Sequence, residues 1–298
     1  MIEQQLNIPS PCHLVETDWL KSAGVKLWLK RDDLIHPIIS GNKWRKLSGI
    51  LAAYDSNFYK SITTFGGAFS NHLVATACVT ALLGVPSKAI IRGEEPKELS
   101  PVLRLCKLYG MQLAFVSREE YKKANRETGI TDDVLYIPEG GACKEGTLGC
   151  EAILAEVDLQ QFSQIFVSCG TGTTVAGMAN YLDKNELRVQ LNGIQVLKGQ
   201  DYIKNDLEKV FGITSANIYD EFHCGGYAKT SNELIGFIKD FTQQTGVLLD
   251  PIYTGKMIFA IKKLIEGHGI VSSEQILAIH TGGLTGWFGK YNELISRR

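Results

Sequence analysis

Short runs of apolar and β-branched residues alternate with stretches of helical spacing along nearly the whole chain, and this alternation constrains the fold more than any other feature. Strand-like runs at 25–30, 62–65, 88–91, 111–116, 134–137, 165–168, 189–196, 217–221 and 275–280 are separated by helix-like stretches at 73–83, 101–109, 145–157, 202–211, 232–243 and 257–265. A further helix opens near Arg118. Strands joined through helices pair side by side in parallel, so the expected class is α/β, with largely parallel twisted sheets flanked by helices. A chain of 298 residues exceeds the size at which a single core stops growing, so two lobes are expected, with a cleft between them as the default ligand site.

Charge narrows the partners. The net charge is −1 and no Lys/Arg-rich or aromatic-basic stripe occurs, which gives no reason to bind nucleic acid or anionic lipid. No apolar run approaches the roughly 20 residues that span a bilayer, and the first residues lack a signal-peptide pattern. Seven scattered cysteines without a C-x-x-C pair read as free thiols in a reducing compartment, so a cytoplasmic location is expected. Six histidines show no ligand spacing, and no metal is expected. What remains is a small-molecule partner.

Three segments carry candidate chemistry. In Ser40-Gly41-Asn42-Lys43-Trp44-Arg45-Lys46 a lysine stands between a glycine turn and a helical run. A helix start disfavours extra positive charge and burial lowers an ammonium pKa, so Lys43 is placed to be a neutral, nucleophilic amine. The competing reading is a solvated basic cluster of Lys43, Arg45 and Lys46, led into by Asp32 and Asp33 as solvated turn residues. Gly66-Gly67-Ala68-Phe69-Ser70-Asn71-His72 ends a strand-like run and opens an apolar helix; it reads as an anion cradle or simply as a helix cap. Cys169-Gly170-Thr171-Gly172-Thr173-Thr174-Val175 opens another helix, with amides and hydroxyls suited to a phosphate. It lacks the G-K-[ST] ending of a P-loop, and Val175 replaces the third glycine of a dinucleotide fingerprint, so a monophosphate fits best.

Taken in order with Leu29 to Asp33, Ile137 to Gly141, Asp250-Pro251-Ile252-Tyr253 and His280 to Gly283, these motifs resemble pyridoxal-phosphate enzymes of the tryptophan synthase β type (fold type II). Within them the chain is most similar to the aminocyclopropane-carboxylate deaminase and D-cysteine desulfhydrase family. The resemblance implies pyridoxal 5′-phosphate bound to Lys43, which then moves protons at the substrate carbon. It implies that Asn71 bonds the pyridoxal O3′. Ser70 and the backbone of Asn71 and His72 would take the substrate carboxylate, and Gly170, Thr171, Gly172, Thr173 and Thr174 the cofactor phosphate. Tyr253 and Tyr227 would face ring and substrate. Residues 46–159 would form a small inserted domain and residues 1–45 with 160–298 the larger one, in a homodimer.

The implied reaction is β-elimination or deamination of a small amino acid, by a lyase or a hydrolase, most closely a D-cysteine desulfhydrase giving pyruvate, sulfide and ammonia. The alternative is a deaminase that opens 1-aminocyclopropane-1-carboxylate to 2-oxobutanoate and ammonia. A cofactor-binding protein without turnover is a distant third, and a nicotinamide oxidoreductase fails on the loop. The ring-opening deaminases carry glutamate where this chain has Thr254 and leucine where it has Thr281, two positions expected near the pyridine nitrogen. A hydroxyl there makes a weaker electron sink than a carboxylate would, which favours cysteine; threonines that merely satisfy their turns are the alternative.

Overall fold

A computed structural model describes residues 2–291 apart from 53, 56, 127–129 and 132. The chain begins with β1 (Cys12–Val15), α1 (Asp18–Ala23) and β2 (Lys26–Lys30), then α2 (Gly41–Leu51), the helix that carries Lys43. There follow β3 (Ser61–Gly66), α3 (Asn71–Leu83), β4 (Ser87–Arg92), α4 (Pro101–Leu108), β5 (Gln112–Val116), α5 (Arg118–Arg126), β6 (Ile130–Thr131), β7 (Val134–Ile137) and α6 (Lys144–Ala155). The remainder is β8 (Gln164–Cys169), α7 (Thr173–Lys184), β9 (Gln190–Gln195), α8 (Tyr202–Phe211), β10 (Ala216–Tyr219), α9 (Asn232–Thr245), α10 (Thr254–Glu266) and β11 (Gln275–Ile279).

The strands form two sheets, in the order β1-β2-β11-β8-β9-β10 and β5-β4-β3-β7-β6. All neighbours pair in parallel except β1 with β2 and β6 with β7, each an antiparallel edge. The α/β class and its helix-flanked parallel sheets are as the alternation of runs predicts. Side chains on successive strand residues point to opposite faces, and the larger sheet uses both. Leu27, Leu29, Phe166, Ile276 and Ala278 pack with α9 and α10 on one face; Ile165, Val167, Leu277 and Ile279 pack with α6, α7 and α8 on the other. Strands covered on both faces need continuous apolar runs, and that is why 165–168 and 275–280 read so clearly.

Helices α2, α6 and α7 meet backbone to backbone. A Cβ added at Gly149 would lie 2.0 Å from the Arg45 carbonyl oxygen, and one at Gly177 would lie 2.3 Å from that of Thr147. This close stacking brings the start of α2 beside the start of α7.

The expectation that Asp32 and Asp33 are solvated is not met: they are 0% and 9% exposed. Asp32 accepts from Ser10 Oγ at 2.6 Å and from Arg45 Nε and Nη2 at 3.0 and 2.9 Å, while Asp33 receives both arms of Arg31. Glu156 pairs with Arg45 and with Lys30, each at 2.5 Å. Buried charges persist only when paired and hydrogen-bonded, and this network ties β2 and the end of α6 to α2. The solvated basic cluster is likewise absent, since Arg45 and Lys46 are each 2% exposed.

Candidate active site

The carboxyl ends of β3, β8 and β11 face the amino ends of α2, α3, α7 and α10, the region of an open α/β sheet where ligands bind. Gly41 opens α2 at φ +61°, a left-handed conformation that favours glycine, and its Cα sits against the 281 turn; an added Cβ would be 1.8 Å from the Thr281 carbonyl oxygen. That same oxygen accepts the Asn42 N–H at 3.2 Å.

Lys43 follows, partly buried, with its Nζ donating to Asn42 Oδ1 at 3.1 Å. Asn42 Nδ2 donates to Thr174 Oγ1 at 3.1 Å, so one amide links the amine to the phosphate-type loop. Burial, and after it the neighbouring Lys46 charge, push the Lys43 amine down to about 7. Near neutral pH much of it is therefore unprotonated and nucleophilic. Lys30, Lys46 and Lys256 are also buried, but their amines are enclosed: Lys30 by Glu156, Lys46 by the Gly140 carbonyl at 3.1 Å, and Lys256 by the carbonyls of His223 and Gly226. Unlike these three, Lys43 keeps partial exposure.

At the start of α3, Ser70 Oγ caps the helix by accepting from Leu73 N at 3.4 Å. The first amides of a helix have no partner inside it, so those of Asn71 and His72 are available to an anion. Asn71 Oδ1 accepts the Thr285 hydroxyl, which leaves Nδ2 as a donor, and Gly283 keeps it uncrowded: a Cβ there would come within 3.3 Å.

The His72 imidazole is buried. Thr64 Oγ1 gives its one hydrogen to the Ile137 carbonyl at 3.0 Å, so at its 2.8 Å contact with His72 it must accept, and His72 carries its proton on Nε2. Nδ1 is left as a buried lone pair without a partner. Burial first, then the Lys43 and Lys46 charges, lower this histidine to about 3, which holds it neutral. A substrate can meet only its backbone.

Gly172, at φ +75°, caps α7; Thr173 and Thr174 are buried at 0% and 5%, and Thr171 stands exposed with its hydroxyl 3.1 Å from that of Thr173. A Cβ at Gly170 would be 3.2 Å from the Tyr253 ring, so glycine lets Tyr253 lie over this loop. Tyr227 meets Tyr253 edge-on, centroids 6.4 Å apart. Burial raises both phenols, Tyr253 well above its usual value, and both stay protonated at neutral pH.

The two threonines expected near a ring nitrogen differ. Thr254 Oγ1 donates to Asp250 Oδ2 at 2.7 Å and accepts from Asp250 N at 3.0 Å, so its hydroxyl hydrogen is spent. It satisfies a turn, as the competing reading of it holds. Asp250 also accepts the amides of Ile252, Tyr253 and Thr254. Thr281 Oγ1 lies 3.4 Å from Ser168 Oγ, so one of these two hydroxyls still has a hydrogen to offer. Asn42 was not singled out by sequence reasoning, although its place beside Lys43 is the signal for it. Among the described residues no three His, Cys, Asp or Glu side chains group as a metal site.

A reactive amine, a free amide donor on Asn71 and an amide-and-hydroxyl loop at a helix start suit an aldehyde carbon, a phenolate oxygen and a phosphate. The residues present thus fit pyridoxal phosphate.

A family model described as "Pyridoxal-phosphate dependent enzyme" matches residues 5–282. The chain is 30% identical to the bifunctional D-cysteine desulfhydrase/1-aminocyclopropane-1-carboxylate deaminase, mitochondrial, of Arabidopsis thaliana, over 97% of this chain and 80% of that protein. It is 31% identical to a putative 1-aminocyclopropane-1-carboxylate deaminase of Thermotoga maritima, over 91% and 93%. Among solved structures it superposes on an ACC deaminase homologue with a TM-score of 0.81 at 28% identity, covering 98% of this chain and 94% of that one.

Proposed function

The chain belongs to the pyridoxal-phosphate dependent enzymes, and from that premise we propose that it eliminates the sulfur of a small thiol amino acid, D-cysteine first, to give pyruvate, sulfide and ammonia. The observation that carries the reading is Lys43, whose amine is lowered to about 7 and stays partly exposed while the buried Lys30, Lys46 and Lys256 are enclosed.

Bound pyridoxal phosphate supplies an electron sink for charge that develops at the substrate Cα. Lys43 would hold the cofactor and, as an amine much of which is neutral near pH 7, would take the Cα proton of the substrate. Ser70 Oγ and the amides of Asn71 and His72 receive the substrate carboxylate, helped by the α3 dipole. Asn71 Nδ2, left free by the bond of Oδ1 to Thr285, would donate to the pyridoxal O3′. Gly170, Thr171, Gly172, Thr173 and Thr174 hold the phosphate, with Asn42 fixing Thr174 relative to Lys43. Tyr253 and Tyr227 line the substrate side as neutral phenols. The Cα–H and Cβ–S bonds break, sulfur departs as hydrosulfide, and water enters only afterwards to release ammonia. The committed step is an elimination, which corrects the expectation of a hydrolase to a lyase.

For the neutral hydrogen bond at the ring nitrogen the reading uses Thr281 alone, whose Oγ1 lies 3.4 Å from Ser168 Oγ. With the Thr254 hydroxyl and the Asp250 carboxylate spent on each other and on backbone amides, the reading keeps a neutral partner and a modest sink, enough for a substrate with an acidic Cα–H and a good leaving group. Ring opening of 1-aminocyclopropane-1-carboxylate, which has no Cα–H, is the second reading; the name of the Thermotoga relative favours it, while that of the Arabidopsis relative carries both activities. We further propose residues 46–159 as a small domain inserted into a larger one of residues 1–45 and 160–298, a homodimer, and a cytoplasmic location, for which the seven unpaired cysteines speak. No helix among the described residues is long and apolar enough to cross a membrane.

The test is a screen of keto-acid, sulfide and ammonia release from D-cysteine, L-cysteine and 1-aminocyclopropane-1-carboxylate. Sulfide and pyruvate from D-cysteine with negligible ring opening is the expected result; 2-oxobutanoate with no sulfide from either enantiomer would transfer the assignment to the deaminase.

A further inference from the structure

Lys256, in the first turn of α10, is 0% exposed, yet among the described residues no carboxylate balances it by direct contact. Its Nζ donates to three backbone carbonyls: His223 at 2.7 Å, Gly226 at 2.8 Å and, at the long limit of 3.5 Å, Val196. An ammonium has three hydrogens and no acceptor capacity, so three converging carbonyls match it one for one. The carbonyls come from the residue after β9 and from the loop that leads to Tyr227. Gly225 and Gly226, at φ +93° and +114°, give that loop a path that L side chains rarely adopt, and along it two carbonyls turn inward. The amine is lowered to about 8, by burial foremost; Cys224 and Asp250 favour its charge and Lys290 opposes it.

Backbone carbonyl oxygens are also the ligands that replace the water around a free monovalent ion, and three of them supply part of such a shell, with water to complete it. We propose that Lys256 is a tethered monovalent cation: it fills a carbonyl cage and thereby fixes the Tyr227 loop against Tyr253, the residue immediately before α10. It is a positioning residue, since its amine touches neither tyrosine ring and acts through the loop. The functional half of this inference rests on the reading of Tyr227 and Tyr253 as the substrate-side wall; the cage itself does not.

Lys256→Ala would empty the cage and Lys256→Met would fill it with an apolar chain. Thermal midpoint and kcat/KM of the holoenzyme are measured in potassium chloride and in choline chloride at equal ionic strength. In choline chloride both variants should lose about tenfold or more in kcat/KM, mostly in KM, since a displaced wall residue costs substrate positioning. In potassium chloride Lys256→Ala should recover both midpoint and kcat/KM, while Lys256→Met and the parent protein remain unchanged. No recovery in Lys256→Ala, or equal recovery in Lys256→Met, would overturn the cage. Recovery of the midpoint without recovery of kcat/KM would keep the cage and refute the positioning of Tyr227. The midpoint needs no substrate, so it stands apart from the elimination reading. Should Lys256→Ala fold in neither salt, Lys256→Gln decides: with two N–H donors it should retain at least tenfold more kcat/KM than Lys256→Met, and equal values refute the proposal.

Discussion

Replacing Gly41 with alanine probes how closely the reactive amine is placed. At φ +61° an L residue costs about 1–2 kcal/mol. The new Cβ would sit 1.8 Å from the Thr281 carbonyl oxygen, where nothing approaches closer than 3.0 Å, so the start of α2 and the 281 turn must part by about 1.2 Å. Overpacking of this kind adds about 1–3 kcal/mol, so the total loss of stability is about 2–5 kcal/mol. That is tolerable for a domain stable by about 5–15 kcal/mol, and the variant should fold. The functional effect is larger. Lys43 is two residues away and the Asn42 N–H is bonded to the same carbonyl, so the amine moves with the backbone. A displacement near 1 Å at a reacting group costs about 10²-fold in rate. Single-turnover release of pyruvate by purified Gly41→Ala, beside its urea denaturation, measures both quantities. A stable variant with activity within threefold of the parent would refute the claim that this contact sets the position of Lys43.

Thr174→Val removes the hydroxyl that accepts from Asn42 and that is proposed to bind the cofactor phosphate; a charge-assisted hydrogen bond contributes about 1.5–3 kcal/mol, so cofactor affinity should fall at least about tenfold, read by fluorescence titration of the cofactor-free protein. Asp32→Asn leaves Lys30 and Arg45 with, among the described residues, only the partly exposed Glu156 as a paired counter-charge and should cost about 3–5 kcal/mol in urea denaturation, with little change in KM. Because the folded Lys43 amine lies near 7 and the unfolded one near 10.5, the folded protein binds fewer protons between those values. Covalent capture of pyridoxal phosphate by the cofactor-free protein should accelerate as pH rises through about 7 and then level off, and the stability cost of burying this amine, full below pH 7, should shrink up to about pH 10.5. A capture rate still rising steeply at pH 9 would contradict the lowered amine.

The parallel sheets were legible because strands covered on both faces carry unbroken apolar runs, as Ile165-Phe166-Val167-Ser168 does. The short edge strand Cys12–Val15 and the helix Asp18–Ala23 were not read, since an edge strand half open to solvent keeps polar residues such as His13. Lys43, Ser70 and the glycine-threonine loop announce themselves by standing at helix starts, where local sequence determines the cap. The fate of Asp32 was opaque, because its partners Arg45 and Ser10 lie 13 and 22 residues away and one-dimensional spacing cannot distinguish a solvated carboxylate from a buried paired one. Thr254 taught the converse. Its partner Asp250 is only four residues distant, and an Asp-x-x-x-Thr spacing at a helix start signals a hydrogen bond within the turn.

The central claim is that one lysine among several buried ones binds the cofactor. Borohydride reduction of the holoenzyme followed by peptide mass spectrometry tests it without any assumption about substrate. The account predicts a single reduced pyridoxyl adduct on the peptide containing Lys43, absent in Lys43→Ala even when Lys46 and Lys256 are intact. An adduct on Lys46 or Lys256 of the parent protein, or none at all in protein with cofactor bound, would contradict it.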